Sequence, residues 1–267
     1  MNENRRKFLK LTGLAALGAA TGKFTNAFAK EKLTKISSLD MIRKKRTTLV
    51  GVDSKKRWAM VIDLKKCLVE EGCTKCVNAC NKVHNIPDFG NPKDEIKWIW
   101  KEPYEQAFLD QENYYQKDNL KDKPVPIFCN HCDNPPCVRV CPTEATWKRE
   151  DGIVMMDWHR CIGCRYCMAA CPYGSRSFNW RDPRPFIKDI DPEFPTRTKG
   201  VVEKCTFCDE RIAKGQQPAC VEACTEKAMV FGDLNDPKSN VRELLKENYS
   251  VRRKPELGTN PEIYYLV

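Results

Sequence analysis

The segment CIGCRYCMAAC, Cys161 to Cys171, constrains this chain more than any other stretch: four thiols at spacings x2, x2 and x3, with Pro172 directly behind the last. Cysteines gather in fours three more times. The first group is Cys67, Cys73, Cys76 and Cys80 (x5, x2, x3), the second Cys129, Cys132, Cys137 and Cys141 (x2, x4, x3), and the fourth Cys205, Cys208, Cys220 and Cys224 (x2, x11, x3). All 16 cysteines fall into these quartets and none is left over.

The surroundings repeat as well. MVIDLKKC (Met60–Cys67) matches VMMDWHRC (Val154–Cys161): an apolar run, an Asp four residues before the Cys, and a base directly before it. PPCVRVCPTEA (Pro135–Ala145) matches QPACVEACTEKA (Gln217–Ala228). Group one therefore resembles group three, group two resembles group four, and internal duplication of a two-group unit is the simplest account. The apolar runs WAMVIDL (58–64) and GIVMMDW (152–158) predict short strands. Each closing C-x3-C predicts a helical turn with two thiols on one face, ended at Pro142 and Pro172. Segment 81–128 is a long insertion carrying Trp98, Trp100, Tyr104, Phe108, Tyr114 and Tyr115, read as a cover over a small core rather than a binding site. Segment 181–200 is proline-rich and reads as an extended strap.

Three chemistries compete for the thiols. A disulfide framework suits an even cysteine count in an exported chain, but it does not account for repeated quartets. Structural zinc joins two cysteine pairs across a gap, which only group four, with its x11 interval, resembles. Group three instead has the iron–sulfur spacing C-x2-C-x2-C-x3-C-P, in which the fourth Cys ligates the other cluster of a pair. Three thiolates on a tight loop grip one face of a [4Fe–4S] cube and a partner segment supplies the fourth. Quartets repeated through the chain then predict four cubes.

The formal net charge of +10 would point to nucleic acid or anionic lipid. Residues 1–29 hold five bases and one acid, which leaves +6 on the remainder. Cluster thiolates bring about −2 per oxidised cube by ligand counting, so the loaded protein sits at about −2. The basic composition is counter-charge, and no nucleic-acid partner is expected. At the N-terminus, NRRKFLK (Asn4–Lys10), a short apolar run and AFA (Ala27–Ala29) predict a twin-arginine signal peptide over 1–29, followed by a basic linker over 30–54. The plainer alternative is a basic amphipathic helix. The run is too short for a comfortable membrane span. A periplasmic location, or the outer face of the cytoplasmic membrane, is expected, with attachment through partners or a retained N-terminal segment. That export route carries folded, cofactor-loaded proteins, which also argues against disulfides.

Nothing in the chain looks able to transform a substrate. There is no G-x-G-x-x-G, P-loop, G-x-S-x-G or C-x-x-C-H. The histidines are His84, His131 and His159; His131 sits inside CNHC, but its group already has four thiols, so a structural role is expected. A redox enzyme with its own catalytic cube would need an open iron site, and complete quartets argue against one.

The quartets, the insertion after the first and the proline-rich strap before the fourth resemble the four-cluster ferredoxin-like subunits of molybdopterin oxidoreductases and NrfD-linked complexes. The resemblance covers about residues 55–267. Within that family the segments HNIP (84–87), KWIW (97–100), CNHCDNPPCVRVCPTEAT (129–146), MMDWHRCIGCRYCMAACPYGSRSFNWRDPRPF (155–186) and PELGTNPEIYY (255–265) are most similar to the exported DsrO-type subunits of DsrMKJOP complexes, which serve dissimilatory sulfur metabolism. The x5 gap after Cys67 departs from the x2 usual in the wider family. The resemblance implies an α+β fold of two ferredoxin-like 2[4Fe–4S] domains related by duplication: an inner one over 129–180 and an outer one from 55–128 and 181–267. It also implies the ligand sets. Cys129, Cys132, Cys137 and Cys171 would hold one cube and Cys161, Cys164, Cys167 and Cys141 its neighbour. Cys67, Cys73, Cys76 and Cys224 would hold a third, and Cys205, Cys208, Cys220 and Cys80 a fourth. The implied partners are an NrfD-like integral membrane quinone-binding subunit and a multihaem cytochrome c. The implied alternatives are a subunit of a polysulfide- or tetrathionate-type molybdopterin reductase, or a free-standing polyferredoxin.

Overall fold

The computed structural model describes residues 55–109, 120 and 122–267; the signal-peptide and linker readings for 1–29 and 30–54 fall outside them, as do Tyr114 and Tyr115. In chain order the strands are β1 (Trp58–Asp63), β2 (Ile99–Pro103), β3 (Pro124–Phe128), β4 (Thr146–Lys148), β5 (Val154–Met156), β6 (Ser177–Phe178), β7 (Val202–Glu203), β8 (Met229–Asp233), β9 (Ser250–Val251) and β10 (Ile263–Leu266). Both sequence-predicted strands are present, as β1 and β5.

β1 is apolar on both faces because it ends up central. It lies in a four-stranded sheet of order β8-β1-β10-β9, antiparallel to β8 (Met60 opposite Phe231) and parallel to β10 (Met60 opposite Ile263). Ala59 and Val61 face a helix, Asn240–Glu247, through Val241. Ser239 starts that helix by accepting a hydrogen bond from Arg242 N, and Gly232 on β8 lets it approach: a Cβ there would meet Val241 Cγ2 at 3.0 Å. Met60 and Ile62 point the other way, into the main core. The aromatic insertion closes that core. Trp100 on its antiparallel β2–β3 pair and Trp98, Tyr104 and Phe108 beside β2 are buried in that core, so these rings are cover and core, as expected from the sequence.

The cysteine segments are built twice from the same parts. In one half β1 pairs with β8, and the helix Lys75–Val83 packs against Ala219–Glu222. In the other, β5 pairs with β4 and the helix Tyr166–Ala170 packs against Pro136–Arg139. Asp63 and Asp157, matched in the sequence repeat, do matched work. Asp63 accepts from Lys66 N at 3.2 Å, and Asp157 from His159 N at 2.9 Å and Arg160 N at 3.3 Å, each turning the chain into its cysteine loop.

One local expectation needs correcting. Only Lys75–Val83 runs through both thiols of its C-x3-C, Cys76 and Cys80. The other three helices are four or five residues long, and Cys141, Cys171 and Cys224 lie beyond them. For Cys171 the cause is Pro172, which pushes the preceding residue out of the helical region, to φ −82° and ψ 109°.

Candidate metal centres

Two cavities are walled by thiols. Cys67, Cys73, Cys76 and Cys224 line the first, together with Met229, Lys101 and Lys75. Cys129, Cys132, Cys137 and Cys171 line the second, beside Tyr173, Ser175 and Arg176. In each, three thiols come from one group and the fourth from the group paired with it in space. In a third set, Cys205, Cys208 and Cys220 crowd the thiol of Cys80, which burial already pushes well above its ordinary pKa; Cys80 and Cys208 are buried, Cys205 and Cys220 half-buried. For the fourth, Cys141, Cys161 and Cys167 pack into one apolar cluster with Val138, Met168 and Phe178; Cys164 is half-buried on the same loop.

These sets adjoin one another in sequence. Cys76 of the first set raises the pKa of Cys220, Cys129 of the second raises that of Cys205, and Cys137 raises that of Cys167, in each case after burial as the main cause. The order is therefore the Cys67 set, the Cys80/Cys205 set, the Cys129 set and the Cys161 set.

Backbone geometry at the loops is specialised. His131, Gly163 and Phe207 occupy the third position of their C-x-x-C segments, and all three have positive φ, which curls the loop around its thiols. At Gly163 no side chain fits: a Cβ would lie 2.4 Å from Gly200 O. His131 and Phe207, equivalent in groups two and four, stack on each other at 3.7 Å and 13°. His131 Nδ1 accepts from Val154 N at 3.1 Å, and burial, aided by Lys204 and Arg176, drives its pKa well down, so it is a neutral structural ring. The long x5 loop after Cys67 bulges outward, with Val69 71% exposed and Lys75 Nζ 2.6 Å from Glu70 Oε2, yet its three thiols still face one cavity.

The donor set fits a thiolate-bound iron–sulfur cluster. Backbone N–H groups of Phe207, Ala219 and Ala228 point at the sulfurs of Cys205, Cys208 and Cys224 at 3.3–3.4 Å. Burial pushes the Cys67 thiol up to about 11 and the Cys205 thiol up to about 12, so without metal these two stay neutral thiols. Cys141 moves the other way: burial opposes it, but hydrogen bonds from the backbone of Thr146, Thr143 and Ala145 and the Thr143 hydroxyl bring its pKa down.

Several residues that hold the centres in place were not among the site residues read from the sequence. Glu203, fully buried, accepts from Trp98 Nε1 (2.9 Å), Asn179 Nδ2 (2.5 Å) and Arg197 Nη2 (2.7 Å), tying insertion, inner half and strap together. The strap is fixed further by Asn85 Nδ2, which donates to the Asp191 and Phe194 carbonyls. His84 stacks on Trp98 and sits 3.4 Å from Cys80 Sγ and 3.1 Å from Glu210 Oε1. Lys204 continues the base-before-Cys pattern of Lys66 and Arg160, but only Lys204 is buried.

The 4Fe-4S dicluster domain family matches residues 122–184 and 191–234. The chain is 43% identical to the Hdr-like menaquinol oxidoreductase iron-sulfur subunit 1 of Archaeoglobus fulgidus, over 98% of this chain and 97% of that protein. It is 41% identical to the menaquinone reductase iron-sulfur cluster-binding subunit of Nitratidesulfovibrio vulgaris, covering 79% of this chain and 88% of that one. With protein NrfC of Escherichia coli it shares 34% identity over 99% and 95%. The chain belongs to this family of iron–sulfur electron-transfer subunits of oxidoreductase complexes, which carry no catalytic site of their own. The wider resemblance read from its motifs is therefore right.

Proposed function

We propose that the chain carries four [4Fe–4S] clusters in a line and relays electrons between a membrane quinone-site subunit of NrfD type and a cytochrome c or comparable redox partner. The observation that carries this reading is the arrangement of the thiols: every quartet draws on two segments, and the quartets follow one another from the Cys67 set to the Cys161 set. When bound, such clusters exchange single electrons. The protein's part is to hold the thiols, aim backbone N–H groups at their sulfurs and exclude water from the two middle sets. The matched halves, with His131 stacked on Phe207, support two ferredoxin-like domains born by internal duplication.

The two ends of the line differ. Around the Cys161 set, Ile162, Tyr166 and Trp180 are exposed by 66%, 63% and 47%, and Arg165 lies over the Phe178 and Trp180 rings. Around the Cys67 set the rim is Glu70, Lys75, Lys101 and Glu226. The apolar end suits an integral membrane partner and the charged end a soluble one. Relatives named for menaquinol and menaquinone favour a menaquinone pool. A DsrO-type place in a sulfur-metabolism complex, and export through residues 1–29 to the outer face of the membrane, complete the reading.

The test is iron and acid-labile sulfide per chain on anaerobically purified protein. About sixteen of each is expected, four per cube; stoichiometric zinc with little iron would end the electron-relay reading. Ile162→Asp combined with Tyr166→Asp is expected to release the subunit from its membrane complex with iron content unchanged.

A further inference from the structure

Four cations are buried among the described residues: Arg176, Arg197, Lys204 and Arg253. A buried charge is held at great cost unless an opposite charge answers it. Arg197 has Glu203 at 2.7 Å and Arg253 faces Glu102 at 3.8 Å. Lys204 donates hydrogen bonds to the carbonyls of Val154 and Cys205. Arg176, 5% exposed, has only neutral acceptors: Nη2 donates to Thr146 Oγ1 at 2.9 Å and Nη1 lies 3.8 Å from Met156 Sδ. No carboxylate pairs with it among the described residues. A guanidinium in such a place cannot shed its proton.

The thiolates of a bound cluster would supply the missing counter-charge. Arg176 lines the cavity of Cys129, Cys132, Cys137 and Cys171. Through Met156 Sδ, 3.8 Å from its Nη1, it also adjoins the neighbouring set, because Met156 packs in one cluster with Cys137 and Cys167. The guanidinium is thus shared between the two inner centres.

We propose that Arg176 is a positioning residue for electron transfer: a fixed positive charge that sets the reduction potentials of both inner clusters together, without ligating either. The inference rests on the four-cluster reading above. A cation favours the state with one more electron, so it raises both potentials. Being buried, it does so nearly independently of ionic strength.

The experiment is an EPR-monitored redox titration of the full chain with its clusters, after iron and sulfide have been counted. In Arg176→Gln with iron retained, two of four potentials are expected to fall, changing the oxidised-to-reduced ratio at fixed potential about tenfold or more, which is about 59 mV for one electron. The other two stay. Arg176→Lys, which keeps the charge, is expected to stay close to the wild type. Should Arg176→Gln lose iron, Thr146→Asp places a carboxylate on the guanidinium and is expected to lower the same two potentials. No shift in the retained-iron variant, a shift common to all four clusters, or an equal shift in Arg176→Lys overturns the inference. A wild-type iron content far below four cubes overturns the reading beneath it, and this inference with it.

Discussion

The two cysteine halves share their parts but not their support. The half made from groups one and four owns a four-stranded sheet, a covering helix and the aromatic insertion. The half made from groups two and three has a hairpin of three-residue strands and a small cluster led by Val154, Met156 and Val202. The first is a fold that holds metal centres. The second, with less core of its own, is expected to depend more on bound clusters for its order. Repetition in sequence thus conceals a division of labour in energetics.

Ligand replacement breaks this comparison most directly. Cys137→Ser is expected to empty both inner centres, a loss of about eight iron atoms at four per cube, because the hairpin cannot keep the neighbouring site formed. Cys73→Ser is expected to remove only about four, since the sheet persists. Equal losses by iron analysis would mean that the halves are equally self-supporting.

Glu203 tests the tie between them. Glu203→Ala strands Arg197, buried among Trp98, Trp158 and Phe194, and is expected to destabilise by about 3–5 kcal/mol in denaturant unfolding of the loaded protein. A change under about 1 kcal/mol would show that the strap is held by packing alone.

The metal-free chain offers a pH test. Burial raises the folded pKa of Cys67 to about 11 and of Cys205 to about 12, so the unfolded chain ionises first, from the ordinary value of 9.0 upward. Their contribution is fully present below pH 9 and is lost as pH climbs through 11 and 12, at up to roughly 1.4 kcal/mol per pH unit for a fully buried thiol. The exposed part of Cys67 reduces its share. The denaturation midpoint of iron-free protein should fall steadily above pH 9, whereas the loaded protein, with its thiols already ionised, should not follow. The smallest effect sharpens the symmetry: Asp63→Ala and Asp157→Ala should each cost about 1 kcal/mol, and similarly, because both close the same turn.

What the sequence made legible was local. The quartets, the strands at 58–63 and 154–156 and the buried aromatics follow from spacing and apolar pattern within a dozen residues. The short helices escaped because a C-x3-C spacing is the same whether the helix continues or stops at the second thiol. The meeting of Cys224 with Cys67, Cys73 and Cys76 came from family resemblance, since nothing within either segment names the other. Nothing in the local sequence singles out Arg197, Glu203 or Arg176 for burial. Their burial is decided by folding over long sequence separations, and a charge inside a protein is legible only once its partner is known.

The pairing of β1 with β10 also sets a timetable. Met60 and Ile263 are neighbours in space but lie at opposite ends of the described chain. At ribosomal speeds of about 5–20 residues per second, β1 waits on the order of ten to forty seconds for its parallel partner. Throughout that interval at least one edge of β1 is unpaired and open to other chains. The inner half, local in sequence, is complete long before. Assembly therefore runs from the middle of the molecule outward, and a translation pause or a cleavage between residues 234 and 263 would leave a chain with its inner centres formed and its first strand exposed.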